Sequence, residues 1–107
     1  MILVHYAEGR YTPVLACDNC EKRITDGQLG AVVFKHPNPG ESELLPVMHV
    51  HKGNCHKAAE ERLGGDLRCG WLELQTHLLY LVLNSKLTLE GLVEERDARD
   101  AAGEWAN

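Results

Sequence analysis

The stretch "HVHKGNCHK", residues 49–57, crowds three histidines and a cysteine into nine residues, and "CDNC", residues 17–20, lies well upstream of it. In a Cys-x2-Cys turn both sulfurs can face the same side of the chain and reach one ion, with the turn's backbone amides free to donate to them. The downstream stretch leaves an apolar run and enters "NCHKAAEERLGG", in which good helix formers end on a double glycine. It reads as strand end, tight turn and helix start, with Asn54 as the expected N-cap. The two pieces together offer more metal donors than one ion needs.

Zn²⁺ takes four sulfur or nitrogen ligands in a tetrahedron, at about 2.3 Å to sulfur and about 2.0–2.1 Å to nitrogen. Cys17 and Cys20 supply two. Cys55 is the natural third, because a thiolate in the first turn of a helix is favoured by the helix dipole. Strand alternation puts His49 and His51 on the same face and does not separate them. Reach does: His51 needs only "KGN" to turn back toward Cys55, while His49 lies about 6–7 Å further along an extended chain. His56 follows Cys55 on the helix and points about 100° away. The expected ligands are Cys17, Cys20, His51 and Cys55, with Cys69 in "LRCGW", or His49, as the alternative to His51.

Working outward, "MILVHY" and "YTPVLAC" flank "AEGR" and predict a hairpin, with Pro13 making the second run an edge strand or a late-starting one. "LGAVVFK" (29–35) and "LLPVMHVH" (44–51) predict a second hairpin around the loop "HPNPGESE". Gly64 and Gly65 should stop the short helix. Apolar spacing at Trp71, Leu74, Leu78, Leu81 and Val82 predicts a long helix over 71–83, with Leu72, Leu79 and Leu83 on its flanks and burial on more than one side. Thr88 should cap a last helix whose Leu89, Leu92 and Val93 face inward. After Val93 the chain turns almost wholly charged, and its end, "AAGEWAN", should fray.

The order of parts resembles a treble-clef zinc finger: a cysteine knuckle ("CDNC"), a β-hairpin, then a helix whose first turn supplies the last ligand ("HKGNC"). It is also similar to small bacterial and phage zinc-binding proteins in which such a finger precedes a helical tail. The likeness spans roughly residues 15–65. It implies one structural Zn²⁺ and a regulatory role, although His-x3-Cys departs from the commoner spacing of the second ligand pair. The expected fold class is α+β: N-terminal β-hairpins with a treble-clef-like finger, then two C-terminal helices. All 107 residues are read as one domain, with a β-rich finger half (1–65) and a helical half (66–107).

The formal net charge is −5, the chain is 44% hydrophobic, and no Lys/Arg block stands out. This argues against coating nucleic acid, which depends on basic charge. Lys22, Arg23, Lys35, Lys52, Lys57 and Arg62 do gather in the finger half, while residues 86–107 hold six acids against three bases. No apolar run is long enough for a signal peptide or a membrane span, so a cytoplasmic protein with no membrane partner is expected. In a reducing compartment closely spaced cysteines favour metal over disulfides. A redox Cys-x2-Cys normally opens a helix in a thioredoxin-like pattern, which a following β-rich segment does not match.

Four protein ligands leave no open position for water, so the expected function is binding or adaptation through a protein partner, reached by the helical half or the proline-rich loop, with no catalytic residues. Trp71, Tyr80 and Leu83 offer a patch for a partner or a second copy. The alternatives are a zinc-dependent nucleic-acid binder and a His-Asn-His-type metal-dependent nuclease using His49, His51, Asn54 and His56. The nuclease reading lacks the loop that separates histidine from asparagine in that family. The remaining histidines, His5, His36 and His77, are expected to have structural or surface roles.

Overall fold

The computed structural model describes residues 1–103. Strands β1 (Ile2–Ala7) and β2 (Arg10–Leu15) pair antiparallel from Ile2↔Leu15 to Ala7↔Arg10. Glu8 and Gly9 turn the chain with φ of 54° and 75°, the left-handed pair that a two-residue hairpin loop demands. Pro13 lies opposite Val4 and shares its side of the ladder with Leu15, whose carbonyl accepts from Ile24 N at 2.8 Å, beyond the hairpin. The nitrogen of Pro13 thus faces away from β1, where a missing N–H breaks no ladder bond.

A Gly27–Leu29 turn, capped by Asp26 Oδ1 accepting from Gln28 N at 2.9 Å, delivers the chain into β3 (Gly30–Lys35). This strand is the middle of a three-stranded antiparallel sheet in the order β4-β3-β5, with β4 spanning Met48–His51 and β5 Cys69–Glu73. Ala31, Val32 and Val33 are all fully buried. Successive side chains point to opposite faces, so β3 is covered on both. Helix α1 (Asn54–Arg62) packs on β3 and β4, and helix α2 (Leu74–Asn84) packs on β3 and β5. The core is Cys17, Ile24, Ala31, Val32, Val33, Val50, Ala59 and Leu74. Gly30 is part of it by necessity: a Cβ there would stand 2.5 Å from Leu74 Cδ2. Helix α3 (Leu89–Ala102) completes an α+β fold of two sheets and three helices, two of them C-terminal. No helix among the described residues is long and apolar enough to cross a membrane.

Several local expectations are corrected. Helix α1 is capped by Gly53 at φ 89°, not by Asn54, which is its first helical residue; the strand-to-helix turn needs a left-handed residue, and glycine adopts it without cost. Gly64 and Gly65 do end α1, with Gly65 N on Glu60 O at 2.8 Å and Gly64 N on Glu61 O at 3.2 Å, the paired bonds of a Schellman cap. Residues 44–47 do not join β4. The helix expected from Trp71 starts at Leu74, because Cys69–Glu73 instead pairs with β3 from Lys35↔Cys69 to Ala31↔Glu73. The unpaired edge of β3 outweighs local periodicity, and Gly70 lies so close to the Phe34 ring that a Cβ would meet it at 2.7 Å. Burial of α2 on several sides is not found: only Leu74 is buried. Thr88 does cap α3, its Oγ1 accepting from Gly91 N at 3.0 Å. Leu89, Leu92 and Val93, expected inward, are exposed. Of the terminal stretch expected to fray, residues 104–107 lie outside the described residues.

Leu74 joins α2 to β3 and is 1% exposed. Leu74→Ala should lower the unfolding free energy by about 2–5 kcal/mol in denaturant titration of the metal-loaded chain. Leu67→Ala, at a residue 95% exposed, should stay within about 0.5 kcal/mol.

Candidate metal centre

Three chain segments meet at the end of the three-stranded sheet. The first is the turn after β2. Cys17 N donates to Lys22 O and Glu21 N to Cys17 O, both at 2.8 Å, while Ala16 bridges to Arg23. Glu21 takes φ 64° to close the turn. Asn19 N lies 3.4 Å from Cys17 Sγ. The second segment is the last residue of β4, His51, and the third is the first turn of α1, which carries Cys55. One donor atom from each of Cys17, Cys20, His51 and Cys55 lies within 4.8 Å of the other three. This Cys3His group could hold a single metal ion.

The orientation of His51 fits that use. Its Nε2 is 3.3 Å from the carbonyl oxygen of Arg23, which can only accept, so Nε2 carries the ring proton. Nδ1 is left with its lone pair, 3.4 Å from Cys20 Sγ. A ring N–H held by a backbone carbonyl is the usual way that the tautomer and tilt of a metal-binding histidine are fixed.

The electrostatics fit as well. Burial works to raise the Cys17 pKa, but amide hydrogen bonds from Cys20, His51 and Asn19 outweigh it and bring the thiol down to about 6. Cys55 responds in the opposite sense. The Asn19 side chain draws it down, yet burial and the adjacent sulfurs of Cys17 and Cys20 push it above the ordinary thiol value. The direction is opposite to the thiolate that the start of a helix was expected to favour at Cys55. Packed sulfurs cannot all be anionic on their own, and a bound cation removes that conflict.

Cys69 does not join the group. It lies on β5, its Sγ 3.8 Å from Glu60 O and outside the four-donor group, and burial together with Glu60 and Asp66 raises its pKa. His49 does not join either. It is buried to 8% exposure, its ring 5.6 Å from that of His77, and burial above all lowers its pKa. His56 sits 3.3 Å from Glu60 on its own helix and edge-on to Trp71. His36 packs edge-on to Phe34, and His5 is exposed on β1.

One contributor escaped the sequence reading. Asp18, inside "CDNC", fastens the cysteine turn to β4: its N–H donates to His49 O at 2.7 Å and its Oδ2 accepts from His49 N at 2.8 Å. Arg62 adds a link from α1, donating to Asp18 O at 3.4 Å. The signal available was an acidic residue directly after the first cysteine, a type that readily hydrogen-bonds backbone in turns. No family model matches the sequence, and no match is found among curated proteins or solved structures.

Asp18→Ala removes the carboxylate that accepts from His49 N and keeps the backbone bond to His49 O, so it loosens the cysteine turn on the strand that carries His51 while leaving all four donors in place. Metal affinity should fall about 10–100-fold in chelator competition. Asp18→Asn, which keeps an acceptor oxygen, should fall less.

Proposed function

We propose that the chain is a small zinc protein whose single Zn²⁺, held by Cys17, Cys20, His51 and Cys55 in a treble-clef-like finger, is structural, and that the whole chain acts as one binding, adaptor or regulatory domain through protein–protein contacts. The observation that carries this reading is the closed donor set: four side chains of soft and borderline type converge within 4.8 Å. Three thiolates and an imidazole suit zinc better than magnesium or calcium, which prefer oxygen. Four protein ligands complete a tetrahedron, so no position remains at which water could be activated. The metal's contribution is then to folding, as expected for a small core that benefits from a staple.

Less supports the other readings. The nuclease reading needs His49 open to a phosphate, whereas His49 is buried. A nucleic-acid role would draw on the cations of the finger half, but Lys52 is paired with Glu73 and Arg62 reaches Asp18 O, and the chain's net charge is −5.

Protein purified without added metal should contain one zinc per chain by elemental analysis, and chelation should unfold the finger half. Cys55→Ser should lose more affinity than the roughly 10–100-fold that a supporting residue costs. Capture of one protein from the host by the wild type, lost with Cys55→Ser, would support the adaptor role. A metal-free chain that is folded and melts unchanged would contradict the zinc reading.

A further inference from the structure

In the helical arm formed by α2 and α3, α2 and the start of α3 are more apolar than a free surface should be. Helix α2 contains no charged residue. Leu74 anchors it to the sheet, but Leu79 and Leu83 lie one turn apart on the opposite side, and both are exposed, as are Leu78, Tyr80 and Leu81. Leu89, Leu92 and Val93 share one face at the start of α3 and are exposed too. Neither helix covers the other, and α3 makes no extensive contact with any element. A helix with so wide an apolar face buries it against another element.

The chain's excess surface, to which the exposed β1–β2 hairpin also contributes, is of the size that a second copy would cover. The accessible surface is 7874 Å² for 11.9 kDa, where a folded monomer of that mass exposes about 6,000 Å². The radius of gyration is 16.0 Å, against about 13 Å for a compact chain of this length. The excess surface, about 1,900 Å² per chain, comes to about 3,800 Å² for two chains, within the span of permanent homodimer interfaces. Transient interfaces are no more apolar than ordinary surface, whereas homodimer interfaces are, and the uncharged α2 is of the second kind.

We propose that a second copy of this chain covers the arm, the two arms packing about a twofold axis as a layer of four helices. The proposal goes beyond the zinc reading and stands whichever metal the finger holds. The test is the mass of the metal-loaded full-length chain by sedimentation equilibrium and light scattering. The expected mass is twice 11.9 kDa. Leu83→Glu on α2 and Leu92→Glu on α3 should each give monomers that still bind one metal per chain, which shows that the finger has folded. Leu67→Glu, away from the arm, should remain dimeric. A wild-type mass of 11.9 kDa, or an assembly that survives both arm substitutions, overturns the proposal.

Discussion

Three sulfurs and an imidazole drawn within 4.8 Å of one another are the constraint around which the rest of the chain is arranged. The cysteine turn, the end of β4 and the first turn of α1 each bring part of the group, and each is fixed by its own backbone bonds. Asp18 ties the turn to β4, Arg23 O holds the His51 ring, and Gly53 makes the left-handed turn that sets α1 directly after the strand. A metal-free cluster would place partly ionised sulfurs side by side. The raised pKa of Cys55, with Cys17 and Cys20 among its causes, reflects that conflict.

The same geometry explains why so small a core can hold together. Its largest fully buried side chains are Leu74, Val32, Val33, Val50 and Cys17, so a prospective metal ligand is itself a core residue. The site and the hydrophobic interior are one structure, which makes a folding role for the metal physically economical. It also separates the chain into two regions of different character. At the cysteine turn Ala16, Cys17 and Ile24 are buried, and the turn is fastened to β4 by hydrogen bonds. The α2–α3 arm is apolar and uncovered, and the β1–β2 hairpin leaves Ile2, Val4, Tyr6 and Tyr11 exposed.

The convergence of the four donors was legible in the sequence because its logic is local. Spacing in "CDNC" and reach across "KGN" bring Cys17, Cys20, His51 and Cys55 together before any tertiary fact is known, and the structure gathers those same four. Glycine signals were equally plain at Gly64 and Gly65, and Thr88 caps α3 as its residue type implies. What escaped was set by distant partners. Trp71 and Leu72 carry helical spacing but join β5, because β3 has an edge to fill. Asn54 is a good capping residue, but Gly53 can take the φ that the turn requires. The apolar faces of α2 and α3 were read as core because periodicity reports that a face will be covered and not by what. Asp18 acts through β4, a segment thirty-one positions away in its hydrogen bond to His49, which no local pattern reveals.

The most direct measurement of the central claim is X-ray absorption at the zinc edge on protein purified with its native metal. One zinc environment is expected, with three sulfurs at about 2.3 Å and one nitrogen at about 2.0–2.1 Å. The nitrogen should be lost in His51→Ala and kept in His49→Ala. A spectrum with an oxygen from water in the wild-type shell, a fourth sulfur from Cys69, or no zinc at all would contradict it.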